Sequence, residues 1–186
     1  MALTAQQKSQ LLDIAETTIE SYVEKGEVPE FNIKDEILNR KQGVFVTLHK
    51  GGKLRGCIGN IFPQDKLYRA VRDMAVHAAT RDPRFSPVTP GELKELDTEI
   101  SVLSVPKKVE SAEEIKLGRD GVIVKRGMNQ GVYLPQVAAE TGWSKEKFLE
   151  SLCYSKAGLE PDAWKKKDTE LLTFQAEVFS RKDLKD

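Results

Sequence analysis

The amino-acid sequence predicts an α+β fold: a mostly antiparallel sheet flanked by helices. Three observations lead there. Two strand-like runs, residues 43–50 (GVFVTLHK) and 53–58 (KLRGCI), flank a Gly51-Gly52 pair and signal a hairpin. Segments of helical period lie on both sides of that hairpin. The later elements follow in no regular βαβα order, the order that a parallel sheet requires.

Taken in order, the first helix rests on three signals. Thr4 and Gln7 have the spacing of a capping box. Leu11, Ala15, Thr18, Ile19, Tyr22 and Val23 recur at helical spacing, and Gly26 stops the run. Residues 27–42 are polar, contain Pro29, and read as a loop with a turn of helix near 33–38. The hairpin follows; glycine at both central positions permits the positive φ that a tight hairpin turn needs. Pro63 is expected to open a second helix, with Leu67, Ala70, Val71, Met74, Ala75 and Ala78 on its apolar face. Asp82-Pro83 ends it, because a residue before proline avoids the helical region.

Residues 82–91 (DPRFSPVTPG) hold three prolines and form a stiffened surface loop. Residues 98–105 alternate as a strand. Ser111 and Glu114 have the spacing of a second capping box. Residues 121–126 and 131–134 are short strands around a turn, and 144–156 is a helix with Phe148, Leu149, Leu152 and Cys153 on one side. In 171–178, Leu172, Phe174, Ala176 and Val178 alternate with their neighbours as one half-buried strand. The sum is about six strands and four or five helices, without repeats or an obvious interdomain linker.

Composition bounds the function. The chain has 186 residues, 29 Lys plus Arg and 29 Asp plus Glu. That is one globular domain, or one with a small appendage. Zero net charge argues against a dedicated DNA-binding domain. No apolar run exceeds three residues, whereas a membrane helix needs about twenty, so no membrane partner is expected. The start has no basic leader with an apolar core, and two cysteines are too few for a disulfide framework. A cytoplasmic location follows as the expectation.

The densest chemistry lies in residues 54–59 (LRGCIG). Strand alternation puts Arg55, Cys57 and Gly59 on one face and Leu54, Gly56 and Ile58 on the other. Arg55 and Cys57 are then about 6.6 Å apart along the strand, at roughly 3.3 Å per residue. A guanidinium that close favours a thiolate. Gly56 and Gly59 mark a bulge or a place where a ligand approaches the backbone. On this reading Cys57 is the candidate nucleophile, Arg55 its electrostatic partner, and both glycines are binding positions. The alternatives are a buried inert cysteine, an Arg55 paired to an acid on a neighbouring strand, and glycines that serve only a bulge.

His77, about 80° off the apolar stripe of the second helix, is a weaker proton-carrier candidate beside a structural alternative. His49, at the edge of the Gly-Gly turn, reads as solvated. Asp82 and Arg84 share the proline-stiffened loop. Arg84 is a candidate carboxylate or phosphate clamp, with Phe85 anchoring the loop in the core; an internal Asp82–Arg84 turn interaction is the alternative. Residues 118–121 (GRDG) read as a turn, and the lysines at 165–167 as a solvated face. The histidines and cysteines lack metal-ligand spacing, and no nucleotide or hydrolase motif is present, so neither metal nor cofactor is assigned.

With LRGCIG at 54–59, DPRF at 82–85 and ISVLS at 100–104, the chain resembles the AMMECR domain family, whose bacterial and archaeal members are called the A protein of the AmmeMemoRadiSam set. The resemblance extends to GRDG at 118–121, LPQVA at 134–138 and KAGL at 156–159, in order over nearly the whole chain. It implies one AMMECR-type domain over residues 1–186, with a second, smaller α/β subdomain and a cleft between the two. It also implies association with a Memo-type protein and a radical SAM protein. The family motif lands on Arg55, Gly56, Cys57, Gly59, Asp82, Arg84 and Phe85; His77 and Cys153 lie outside it. Three functions stand as expectations, with enzyme status open. The first is an enzyme or substrate-holding component with a Cys57/Arg55 cleft for an anionic small molecule. The second is a non-catalytic module for a Memo-type or radical SAM partner. The third is RNA binding, disfavoured by neutral charge and the lack of an aromatic platform.

Overall fold

The computed structural model describes residues 2–62 and 64–184. The architecture is α+β. The chain forms two compact units, Met1–Leu103 with Glu177–Asp186, and Ser104–Ala176. Each has its own four-stranded sheet and its own apolar core. Among the described residues there are eight strands against the six expected, because the three-residue edge strand at 107–109 carries a weak pattern and the stretch 171–178 holds two strands.

In the larger unit, helix α1 (Ala5–Lys25) begins on the expected capping box: Thr4 accepts from the Gln7 backbone, and Gln7 returns to Thr4. It ends at Gly26, where φ is 73°. Strands β1 (Val44–Lys50) and β2 (Lys53–Asn60) form the hairpin, and Gly51 and Gly52 both have positive φ, 55° and 75°. Helix α2 (Leu67–Thr80) packs on both of them. It starts at Leu67 with Lys66 at its N-cap; Pro63, expected to open it, lies outside the described residues. Strand β3 (Leu96–Leu103) runs antiparallel to β1.

The smaller unit holds β4 (Lys107–Val109), β5 (Gly121–Arg126), β6 (Asn129–Tyr133) and β7 (Glu170–Phe174), in the order β4-β7-β5-β6. Helices α3 (Pro135–Thr141) and α4 (Lys145–Ser151) lie between β6 and β7 in the chain. Ser144 caps α4, and Leu152–Lys156 continues it as one π-helical turn, so the helix expected over 144–156 changes pitch inside. Val122, Val124, Phe148, Leu149, Leu152 and Cys153 are fully buried in this core.

The larger sheet has the order β2-β1-β3-β8, with β8 covering Ala176–Ser180. The strand expected across 171–178 is thus two strands in two sheets, broken at Gln175. Its phase also reverses. Phe174 is buried, but in β8 it is Phe179 that is buried, while Val178 is 46% exposed. A period-2 pattern reads a single sheet and cannot register a change of sheet between two neighbouring strands.

Helix packing fixes the two sides of the larger sheet. Val44, Val46 and Leu48 of β1 and Ile100 of β3 are sealed on the helix side. Phe45, Thr47 and His49 of β1 alternate to the other side, where β3 offers Asp97, Glu99 and Ser101 as their register partners. This second face carries the polar side chains.

Candidate functional site

Strand β2 is an edge strand. Cys57 lies directly opposite Thr47 on β1. The Cys57 amide turns away from β1 and donates to Asp82 Oδ2 at 2.8 Å. Cys57–Thr47 is therefore a non-hydrogen-bonded pair of the ladder, the kind that brings side chains closest. The Thr47 hydroxyl accordingly donates to Cys57 Sγ at 3.2 Å. Asp82 occupies a ladder position that a free edge would leave open.

Asp82 is held at the end of α2, and its side chain is 2% exposed. It accepts from the Arg84 backbone at 3.1 Å, from Arg84 Nε at 2.9 Å and from Arg84 Nη2 at 2.7 Å. The Arg84 guanidinium holds the Asp82 carboxyl well below the usual carboxylate range, against the opposing push of burial. The Arg84 side chain itself is 55% exposed, and its guanidinium carbon lies 5.5 Å from the Phe85 ring centroid. The internal Asp82–Arg84 interaction exists, and it still leaves Arg84 facing solvent. Phe85 is half-buried rather than sunk in the core.

Arg55 departs from the expectation. The β1–β2 register slips between Leu48 and His49, so that Leu48 pairs with Gly56 and His49 with Leu54. Arg55 is the extra residue of a bulge, and strand phase does not carry from Cys57 across it. Its guanidinium is committed elsewhere. Nε donates to Glu92 Oε1 at 3.0 Å, Nη2 to Glu92 Oε2 at 3.1 Å, and Nη1 to the Ser86 carbonyl at 2.9 Å. Glu92 sits in the 3-10 turn Pro90–Glu95, and the Arg55 guanidinium, with the Thr89 amide, holds its carboxyl low. Arg55 fastens the proline loop. It is neither the electrostatic partner of the thiol nor a free anion clamp.

The Cys57 thiol is correspondingly pushed up, not down. Burial is the main cause; the Thr47 hydroxyl and the Arg84 charge pull against it, and Asp82 and Glu99 push with it. Cys57 is half-exposed and in the neutral thiol form near pH 7. The glycines also serve packing. A Cβ on Gly56 would stand 2.1 Å from the Ala78 carbonyl oxygen, so α2 lies directly against β2 there. A Cβ on Gly59 would meet the Phe45 ring at 2.2 Å. Neither offers open backbone to a ligand.

His77 is half-buried, its Nε2 lies 3.0 Å from Arg81 Nη1, and burial followed by the Arg81 charge lowers its pKa. No hydrogen bond joins it to Cys57 among the described residues. Cys153 is sealed in the smaller core, where burial raises its thiol. His49, read from sequence as solvated, is half-buried and borders a cavity of about 300 Å³ with Asp97 and Glu99. Its position beside the Gly-Gly turn hid this, because the other wall comes from β3. Among the described residues, no three His, Cys, Asp or Glu side chains are placed to hold a metal ion, and no helix is long and apolar enough to cross a membrane.

This arrangement, with a motif cysteine on an edge strand tied to a proline loop by a buried aspartate, can be set beside known proteins. The AMMECR1 family model matches residues 12–179. The chain belongs to the AMMECR1 family. Among its relatives, a protein of Thermococcus gammatolerans is 45% identical over 181 residues, covering 91% of this chain and 87% of that protein. A protein of Methanopyrus kandleri is 42% identical over 190 residues, covering 97% and 91%. The crystal structure of the uncharacterized protein PH0010 from Pyrococcus horikoshii is similar at a TM-score of 0.84 and 41% identity, covering 92% of this chain and 89% of that one. In this AMMECR1-family chain the LRGCIG segment is thus the bulged edge strand, and DPRF the loop that latches it.

Proposed function

We propose that the Cys57–Asp82–Arg84 cluster holds an anionic small molecule without covalent chemistry, as a substrate-holding site and not as a thiolate enzyme. One observation carries this reading: Arg84 is half in solvent yet oriented by a buried carboxylate. Asp82 takes Nε and Nη2, and Nη1 has no hydrogen-bond partner among the described residues. A guanidinium fixed on one edge and open on the other loses little freedom when a carboxylate or phosphate binds. The neutral Cys57 thiol and the Thr47 hydroxyl add weak polar contacts beside it. The test is a thermal-shift titration with inorganic phosphate and with citrate. A saturable stabilisation that vanishes in Arg84→Ala supports the site; an equal shift in that variant removes it. Alkylation of Cys57 by iodoacetamide at pH 7 is expected to run slower than that of free cysteine. A faster rate would restore the nucleophile.

A second reading has its own support. The loop 82–92 is latched at both ends, by Asp82 to Cys57 and by Glu92 to Arg55. A rigid exposed loop also suits docking of a protein such as a Memo-type or radical SAM partner. Loss of partner capture in Arg84→Glu, with no response to phosphate or citrate in the parent chain, would favour it. RNA binding has no comparable support and predicts measurable affinity at low salt, where phosphate contacts are strongest.

A further inference from the structure

The polar face of the larger sheet continues past Thr47. Cys57, Thr47 and Glu99 lie in register across β2, β1 and β3, and His49 lies opposite Asp97 two positions along. Here the sheet borders a cavity of about 300 Å³ lined by His49, Asp97, Glu99, Arg181 and Lys182 among others. That size suits a small ligand at the lower end of the usual range.

The charges of this cavity do not cancel. Arg181 is taken by Glu16, with Nη2 at 2.6 Å from Oε2. Lys182 is taken by Asp97 at 2.9 Å. Glu99 has no cation within ion-pair distance among the described residues, and neither Glu99 nor His49 has a side-chain hydrogen bond there. One half-buried carboxylate is left uncompensated in a cavity that the half-buried His49 imidazole also lines. A half-buried charge gains from a counter-charge more than an exposed one does. With no trio of ligands for a metal ion among the described residues, the fitting counter-charge is organic.

We propose that the His49–Glu99 cavity binds a small molecule through a primary ammonium group. The ammonium has three hydrogens to donate, and the Glu99 carboxylate and a ring nitrogen of His49 are the acceptors. The site shares no residue with the Arg84 cluster and does not depend on that reading.

The test follows the side-chain resonances of the two histidines while the protein is titrated with 1,4-diaminobutane, with sodium succinate as the anionic control. The expected result is a saturable shift of His49 with His77 unmoved, and at least tenfold weaker binding in Glu99→Gln. That variant is isosteric, breaks no hydrogen bond described above, and should fold normally. Absence of a saturable shift, equal affinity in Glu99→Gln, or the same response to succinate overturns the proposal. Because Arg84 takes no part, the amine response should persist in Arg84→Ala even if that variant abolishes the anion response.

Discussion

Each unit carries a buried carboxylate forked by an arginine whose outer side is in solvent. In the larger unit it is Asp82, 2% exposed, with Arg84, 55% exposed; in the smaller it is Asp120, 3% exposed, with Arg119, 50% exposed. The chemistry matches. Arg119 donates Nε and Nη2 to the two oxygens at 2.7 and 2.8 Å and holds the Asp120 carboxyl low, as Arg84 does for Asp82. What differs is the reach. The backbone donor on Asp120 is Lys116, four positions away, and the result is a self-contained turn in the GRDG segment; the Gln175 side chain adds only a smaller pull. Asp82 accepts from Cys57, 25 positions away, and so joins a loop to an edge strand beside a thiol. The same local device acts as punctuation in one place and as tertiary architecture in the other.

The largest effect is expected at two glycines in tight approaches, Gly56 on the motif strand of the larger unit and Gly131 on β6 of the smaller. Gly56→Ala places a methyl 2.1 Å from the Ala78 carbonyl, which drives α2 off β2. Gly131→Ala meets the Ala157 amide nitrogen at 2.7 Å, a milder overlap. Overpacking of this kind predicts a loss of about 3 kcal/mol for Gly56→Ala and about 1–2 kcal/mol for Gly131→Ala. Thermal unfolding reads the first as a fall of roughly 6–12 °C. Equal falls would mean that the approach of α2 to β2 is no tighter than its counterpart.

Next in size is the removal of the carboxylates. Asp82→Ala strands the Cys57 amide and frees the loop, at about 2–3 kcal/mol for a lost charge-assisted bond with a buried donor left over. Asp120→Ala, whose backbone partner is local, should cost about 1 kcal/mol. Urea midpoints on both variants test the difference; the contrast between tether and turn fails if Asp120→Ala is the more damaging. The smallest effect is that of acid. Both carboxyls have folded pKa values below the unfolded value near 3.9, so their stabilisation is complete above it and drains away as pH falls further. Between about pH 4 and 2 the parent chain should lose stability faster than Asp82→Asn. An unchanged slope in that variant would show that Asp82 does not drive the acid loss.

Much of this fold is written in local residue chemistry. Thr4 with Gln7, Gly26, Gly51 with Gly52 and Ser111 with Glu114 each act within a few positions, and each forms the element it predicts. The motif residues Cys57, Asp82 and Arg84 are also visible in sequence, and the structure brings them together. At Arg55 strand alternation misplaces the side chain, because the register slips there. The glycines of LRGCIG signal a bulge, but they do not say that Arg55 is its extra residue, and Glu92, which holds Arg55, lies 37 positions on. His49 reads as solvated from sequence because the acids that share its cavity belong to β3.

The sequence by itself determined the α+β class, the hairpin, the helix ends and the neighbourhood of the motif, because capping, turn conformation and hydrophobic period are short-range interactions between residues close in the chain. The tertiary structure alone decided that Arg55 turns to Glu92, that Arg84 takes its place beside the thiol, that the Cys57 thiol stays protonated, and that the stretch 171–178 divides between two sheets. These outcomes depend on burial and on charges brought together from distant positions, and such energies do not exist until the chain has folded.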